Sequence, residues 1–211
     1  MNRAAMRDDL RRRLQEEVAD RWSDTNLNSK LNQGLVETQK EIMKVDPEAF
    51  SYIDRADQVA SQEYYEWPAG IWYERELRVR NSDGTYSSMR RINFSERADA
   101  IAGSSLLTYA RFDRKNFVLA PIPTTSVVNG LEIVWVPTLS MANDTDVPPI
   151  HLGLHIAVIE FAEILALADV GDTSEETIKD LARMINSIGQ YYLVSASTPA
   201  RLVIEGVSKG Y

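Results

Sequence analysis

His151 and His155 are the only histidines in this chain of 211 residues, and they stand four positions apart. On a helix that spacing puts two imidazoles on one face, which suits a pair of metal ligands. A metalloprotease helix would carry Glu directly after the first His as its base, and Leu152 holds that place here. With no cysteine anywhere, further ligands would have to come from Glu163, Asp146 or another distant carboxylate. Asn143, Asp144, Thr145 and Asp146 look like part of a calcium loop but lack its spacing and its closing Glu, so they favour a turn and a helix cap. The glycines form neither GxGxxG nor a phosphate loop, and no serine has a nucleophile-elbow context. Glu160 with Glu163, and Glu175 with Glu176, read as solvated or helix-start charges. The residues therefore assign no catalytic residue, no metal site and no cofactor, and a metal-dependent hydrolase using His151 and His155 is the weakest of the readings left open.

The element that must position the histidines is Pro148 to Asp169, PPIHLGLHIAVIEFAEILALAD. Leu152, Leu154, Ile156, Val158, Ile159, Phe161, Ile164, Leu165 and Leu167 put apolar groups on nearly every side of a helix, which predicts a rod covered all round. Pro148 and Pro149 suit its start and Gly171 its end. Only its length suggests a membrane span, because two His and two Glu interrupt the run and no basic flanks adjoin it.

Around this rod other helices are expected. Met6, Leu10, Leu14, Val18 and Trp22 recur every four residues and predict a charged helix from Arg3 to Arg21 with one narrow apolar stripe. Ser23 or Asp24 caps a second, with Leu27, Leu31, Leu35, Ile42 and Val45 inward, ended by Asp46-Pro47. Thr173 and Glu176 stand at capping-box spacing before a last helix marked by Ile178, Leu181, Ile185, Ile188 and Tyr192. Between the pairs the pattern turns to strand. Tyr64 to Pro68 and Ile71 to Arg80, the turn Asn81 to Gly84, and Thr85 to Ile92 read as a hairpin. Phe94 to Ala102 predicts a short helix capped by Ser95 and stopped by Gly103. Leu107 to Phe112 and Phe117 to Ala120 form a second hairpin, which Asn129-Gly130 and Leu131 to Val136 join in one small antiparallel sheet.

The expected fold is α+β, mainly α: a four-helix bundle of two N-terminal and two C-terminal helices, residues 1–50 and 147–194, with an inserted antiparallel β region at 51–146. Residues 195–211 have too little apolar content to fold alone, which makes them either a frayed end or an extended arm that orders on a partner, with Arg201, Leu202, Val203, Ile204 and Tyr211 as the contact residues of such an arm.

The 23 Lys and Arg against 31 Asp and Glu, a net charge of −8, speak against a general nucleic-acid coat. Arg3, Arg7, Arg11, Arg12 and Arg13 crowd the N-terminus, but Asp8, Asp9, Glu16 and Glu17 share their helix and offset them. No apolar signal core is visible, which predicts a chain assembled in a cytoplasm. Tyr64, Tyr65, Trp67, Trp72 and Tyr73 are the better interface candidates, since rings bury much area at low entropic cost; the plain alternative is that they fill the sheet's own core.

A first helix with DDLRRRL, then Trp22-Ser23-Asp24 opening a helix with Leu27 and Leu31, a β-rich middle with Phe117-Val118-Leu119-Ala120-Pro121-Ile122-Pro123 and Leu131-Glu132-Ile133-Val134-Trp135, and Asp144 to Ile150 leading into a His-containing apolar helix resemble the head-to-tail adaptor (connector) proteins of short-tailed and related tailed phages. The resemblance runs from about Leu10 to Tyr192 and rests on turn and core residues. It implies a structural virion protein: a ring, of twelve copies, under the portal protein at the capsid vertex, lengthening the DNA channel and receiving the tail tube or nozzle protein. DNA passes without sequence-specific binding, and the arm reaches the portal. Another multi-subunit interaction or scaffold module is the alternative of a different class.

Overall fold

Ser23 opens the longest helix, its hydroxyl accepting a hydrogen bond from the Asn26 N–H at 3.2 Å and so satisfying a donor that a helix start leaves unpaired. In the computed structural model, which describes residues 1–16, 21–99, 107–171, 179 and 183–190, this helix α2 spans Asp24–Val45. Its inward face is the predicted one, with Leu27, Leu31, Leu35 and Ile42 fully buried, whereas Val45 at its end is exposed. The described residues divide into two compact units, one drawn from Met1–Ala49 and Leu139–Arg201, the other from Phe50–Thr138.

In the helical unit, α1 (Arg3–Arg13) and α3 (His155–Asp169) pack on α2 and on each other. Residues 183–190 are helical too, with Met184 and Ile188 buried, and a Cβ added to Gly189 would lie 3.9 Å from Val45 Cγ2 at the end of α2. Two helices are shorter than their periodicity predicts. α1 stops at Arg13 instead of Arg21, because Gln15 takes a positive φ of 55° and the Glu16 carboxylate turns back to accept from the Arg21 and Trp22 N–H groups. Val18 lies outside the described residues. α3 starts at His155, after a single tight turn at Leu152–Leu154, instead of at the two prolines. It ends where expected, with Gly171 at a φ of +77° that an L side chain rarely adopts. Nor is it covered all round: Leu152 and Ile156 are exposed.

The segment after Thr138, expected to go with the β region as far as 146, is held to α2 by side-chain amides. Gln39 Oε1 accepts from the Leu139 N–H at 3.2 Å. Asn32 takes both backbone groups of Met141, accepting its N–H at 2.8 Å and donating to its carbonyl at 3.2 Å. The buried Leu139 and Met141 thereby have their backbone N–H groups met without a sheet.

The β unit has two four-stranded sheets where the alternation predicts one. The strands are β1 (Tyr52–Gln58), β2 (Tyr64–Glu66), β3 (Ile71–Arg80), β4 (Tyr86–Ser88), β5 (Arg90–Arg91), β6 (Thr108–Arg111), β7 (Asn116–Ala120) and β8 (Val127–Pro137), ordered β1-β8-β3-β4 and β2-β7-β6-β5. All pair antiparallel except β5 with β6. Both predicted hairpins are present as β3–β4 and β6–β7. Tyr64 to Glu66, however, pairs with β7 instead of joining the first hairpin, and β8 lies between β1 and β3 instead of extending the second. The predicted strand Thr85 to Ile92 is cut at Met89, whose buried side chain marks where the chain passes from one sheet to the other. Phe94–Glu96 forms a turn of 3-10 helix that residues 97–99 continue as α-helix, as far as the described residues follow the expected helix; its start is capped by Asn93 and Glu96 in a reciprocal box instead of by Ser95, and Gly103 lies outside the described residues.

Tyr65, Trp67, Leu77, Tyr109, Phe117, Leu119, Leu131, Ile133 and Trp135, drawn from both sheets, share one apolar core. A buried carboxylate also links them: Glu74 on β3 receives Arg91 and Arg111, each at 2.8 Å, from β5 and β6. Burial, reinforced by the Glu74 charge, pushes the neighbouring Tyr109 phenol up.

Candidate interaction surfaces

His151 and His155 do not converge. His151 precedes the helix, exposed, with its Nδ1 accepting from the Gly153 N–H at 3.1 Å. His155 is buried in the first turn of α3, its Nδ1 3.0 Å from the Met1 amine. Burial lowers its pKa, and the positive amine lowers it further. Among the described residues no three His, Cys, Asp or Glu side chains gather where they could hold a metal ion.

The N-terminal arginines are ion-paired, largely by acids from elsewhere in the unit. Arg3 and Arg7 reach Asp144 at 2.8 and 3.1 Å, Arg11 reaches Glu16 at 2.9 Å and Asp24 at 2.6 Å, and Arg13 reaches Glu163 at 3.2 Å. Only Asp9 and Glu16 of the four acids expected to offset them do so; Asp8 forms no such pair among the described residues, and Glu17 lies outside them. The Asn143–Asp146 stretch is the turn its residues favour. Asp146 accepts from the Ala142 and Asn143 N–H groups, while the carbonyls of Asp146 and Asp144 accept from the Arg3 and Ala4 N–H groups at 2.9 and 3.1 Å. The loop therefore caps α1 from a point some 140 residues further along the chain.

Hydrogen bonds from Arg3 and then Arg7 hold the Asp144 carboxyl below its ordinary value. A carboxylate depressed in the folded state contributes stability that is complete above its unfolded pKa and is lost as pH falls through the folded value. Asp144→Asn is expected to lower the melting temperature at neutral pH and, in melts followed from pH 7 to pH 3, to flatten the acid-side decline. An unchanged melting temperature at neutral pH would remove this clasp from the account of stability.

Among the aromatic candidates the sheets separate inside from outside. Tyr65 and Trp67 are only 5% and 6% exposed; their rings pack on Phe117 with centroids 5.5 and 4.4 Å away. They are core residues and offer no surface, which corrects their assignment as interface residues. The cause is the period of two: Tyr64 and Glu66 face outward where Tyr65 and Trp67 face inward. Trp72 and Tyr73 are half-buried, with their rings edge to face at 5.9 Å.

The outer faces of the two sheets are unlike. On the first, Glu132 in β8 lies in register between Arg55 on β1 and Arg78 on β3 and pairs with both, at 3.2 and 3.1 Å, while Arg78 also meets Glu76. The second is apolar. Ile92, Ala110, Val118 and Ala120 form a small buried cluster, and Tyr64, Phe112 and Phe94 stand in a row with centroids 5.2 and 5.1 Å apart. The three rings are 44%, 47% and 41% exposed. Phe94 and Phe112 are surface residues that composition alone passes over. The signal for Phe112 is the strand alternation itself, which sets Thr108, Ala110 and Phe112 opposite Tyr109.

The arm residues Arg201, Leu202, Val203, Ile204 and Tyr211 lie outside the described residues. No described helix is long and apolar enough to cross a membrane.

No curated protein matches the chain. A family model does, over residues 1–202, and it is that of the SU10 adaptor protein. The chain belongs to the SU10 adaptor protein family, phage head-to-tail adaptors, and is a structural, non-enzymatic component of the virion that binds head and tail components.

Proposed function

We propose that twelve copies form a ring under the portal protein at the capsid vertex, that the ring extends the DNA channel, and that its far side receives the tail tube or nozzle protein. The observation that carries this is the family match over residues 1–202. The helices α1, α2 and α3 and the last helix make a four-helix bundle that serves as the rigid part of each copy. Residues 195–211, Arg201, Leu202, Val203, Ile204 and Tyr211 among them, form the arm that reaches the portal. Tyr64, Trp72 and Tyr73 meet the tail or a neighbouring copy. The net charge of −8 suits a channel through which DNA slides without sticking. Assembly takes place in the host cytoplasm.

The isolated chain is expected to be a monomer or weakly associated, and to form rings visible by electron microscopy when mixed with its phage portal. A stable ring without portal would refute assembly on the portal, and the absence of any ring with portal would refute the reading as a whole. Removing Ser195 to Tyr211 is expected to leave the circular dichroism and melting temperature unchanged and to weaken portal binding by ~10-fold or more, about 1.4 kcal/mol. Unchanged capture in a pull-down would exclude the arm.

A further inference from the structure

We propose that α1 is a salt-released latch, a helix that opens away from the helical unit in one piece as ionic strength rises while α2 and α3 stay packed. The two attachments are of different kinds. α2 and α3 meet through packing so close that a Cβ on Gly34 would fall 2.4 Å from the Val158 carbonyl oxygen, and Leu31, Leu35, Ile159 and Ala162 are fully buried. α1 contributes only Met6 and Leu10 as buried side chains. Much of the rest of its hold is charge. It carries five Arg and two Asp, and Arg3, Arg7, Arg11 and Arg13 turn toward the unit and are largely covered, whereas Arg12 is exposed.

The carboxylates that receive these arginines come from three places: Asp24 at the start of α2, Asp144 in the loop before α3, and Glu160 with Glu163 on α3. Arg7 alone joins two of them, reaching Asp144 at 3.1 Å and Asp24 at 3.6 Å, and Arg11 also holds Glu16 just beyond the helix. A basic helix thus lies in an acidic cradle. The cradle is open to ions, since the Asp144 and Asp24 side chains are 49% and 59% exposed. Pairs of that exposure are screened as the Debye length shrinks from ~10 Å at 0.1 M salt to ~3 Å at 1 M, whereas the packing of α2 on α3 has no charge to screen. Backbone hydrogen bonds from the Arg3 and Ala4 N–H groups tie down the first turn alone. Beyond the last turn Gln15 takes its positive φ, so no continuous helix couples α1 to α2. The bundle is rigid while the latch is closed. Opening it bares the acidic cradle together with the places on the unit that Met6 and Leu10 fill.

Amide hydrogen exchange of the full wild-type chain reads such a local opening directly. It is measured at one pH in about 0.1 M and about 1 M sodium chloride. The amides of Arg7 to Arg13 are expected to exchange ~10-fold or more faster at the higher salt, with those of Leu31 to Ile42 unchanged. Two results would overturn the latch: α1 exchange that ignores salt, and α1 and α2 exchange that accelerate together, which would make the helices one cooperative unit. Arg7→Gln removes the pairs to Asp144 and Asp24 at once. In the lower salt this variant is expected to show the fast α1 exchange that the wild type shows only in the higher, and to respond less to added salt. Wild-type exchange of α1 in the folded variant would also overturn the assignment. The two-salt comparison on the wild-type chain decides by itself if the circular dichroism of Arg7→Gln shows that it does not fold.

Discussion

Gly34→Leu is expected to unfold the helical unit while leaving the β unit in place. Gly34 lies on α2 where that helix meets α3, and a Cβ built on it would fall 2.4 Å from the Val158 carbonyl oxygen and 3.0 Å from the Ala162 nitrogen. Both are backbone atoms within a helix, so neither can swing aside as a side-chain end would. Even alanine must push the helices apart, at an overpacking cost of ~1–3 kcal/mol. That outweighs the ~1 kcal/mol returned by removing a glycine from a helix interior. Leucine adds three more carbons at the same point, and a loss above ~4 kcal/mol takes away much of the ~5–15 kcal/mol by which a domain is stable. The two units can be followed separately, since Trp22 is the only tryptophan of the helical unit and Trp67, Trp72 and Trp135 belong to the other. With the last three replaced by Phe, Trp22 fluorescence in urea should report an early transition in Gly34→Leu. Wild-type unfolding of that variant would show that the helices do not approach closely at Gly34.

Phe117→Ala should have the corresponding effect on the β unit. Phe117 is fully buried, stacked beside Tyr65 and 4.4 Å from the Trp67 ring centroid. Truncating a buried Phe costs ~3–5 kcal/mol through lost transfer energy and the cavity left behind. Phe112→Ala supplies the contrast, for an exposed ring five residues earlier should change stability by no more than ~0.5 kcal/mol. Equal denaturation midpoints for the two variants would mean that inside and outside have been exchanged at β6 and β7.

The residue pattern reveals α2, its Ser23 cap, the hairpins β3–β4 and β6–β7, and the strand character of β8, because each is written in local terms: a capping hydroxyl, a four-residue stripe, a turn flanked by alternation. β1 stays hidden for a physical reason. Asp54, on the same face as the half-buried Tyr52 and Ala56, is an exposed carboxylate that accepts from Trp135 Nε1 at 3.0 Å, and a charged residue between them conceals the period of two. Without β1, β8 has no second neighbour and one sheet seems enough. The end of α1 is misread because Gln15 departs from helix geometry with no proline or glycine breaking the stripe, and the start of α3 because the Leu152–Leu154 turn, with Gly153 at its centre, stands between the prolines and the helix. For the surfaces, aromatic composition points to the right region, whereas only the alternation separates Tyr64 from Tyr65.

The cap on α1 has a consequence for synthesis. Arg3, Ala4 and Arg7 find their partners in Asp144 and Asp146, up to 141 residues later. At ~5–20 residues per second a ribosome needs roughly 7–30 s to deliver that loop after the first helix has emerged. Every strand of the β unit lies between these two points in the chain. The inserted unit can therefore close on itself while the Arg3 and Ala4 N–H groups, unlike that of Ala5 which Asn2 caps, still lack their partners, so that the start of the first helix is completed only after the unit inserted behind it has been made.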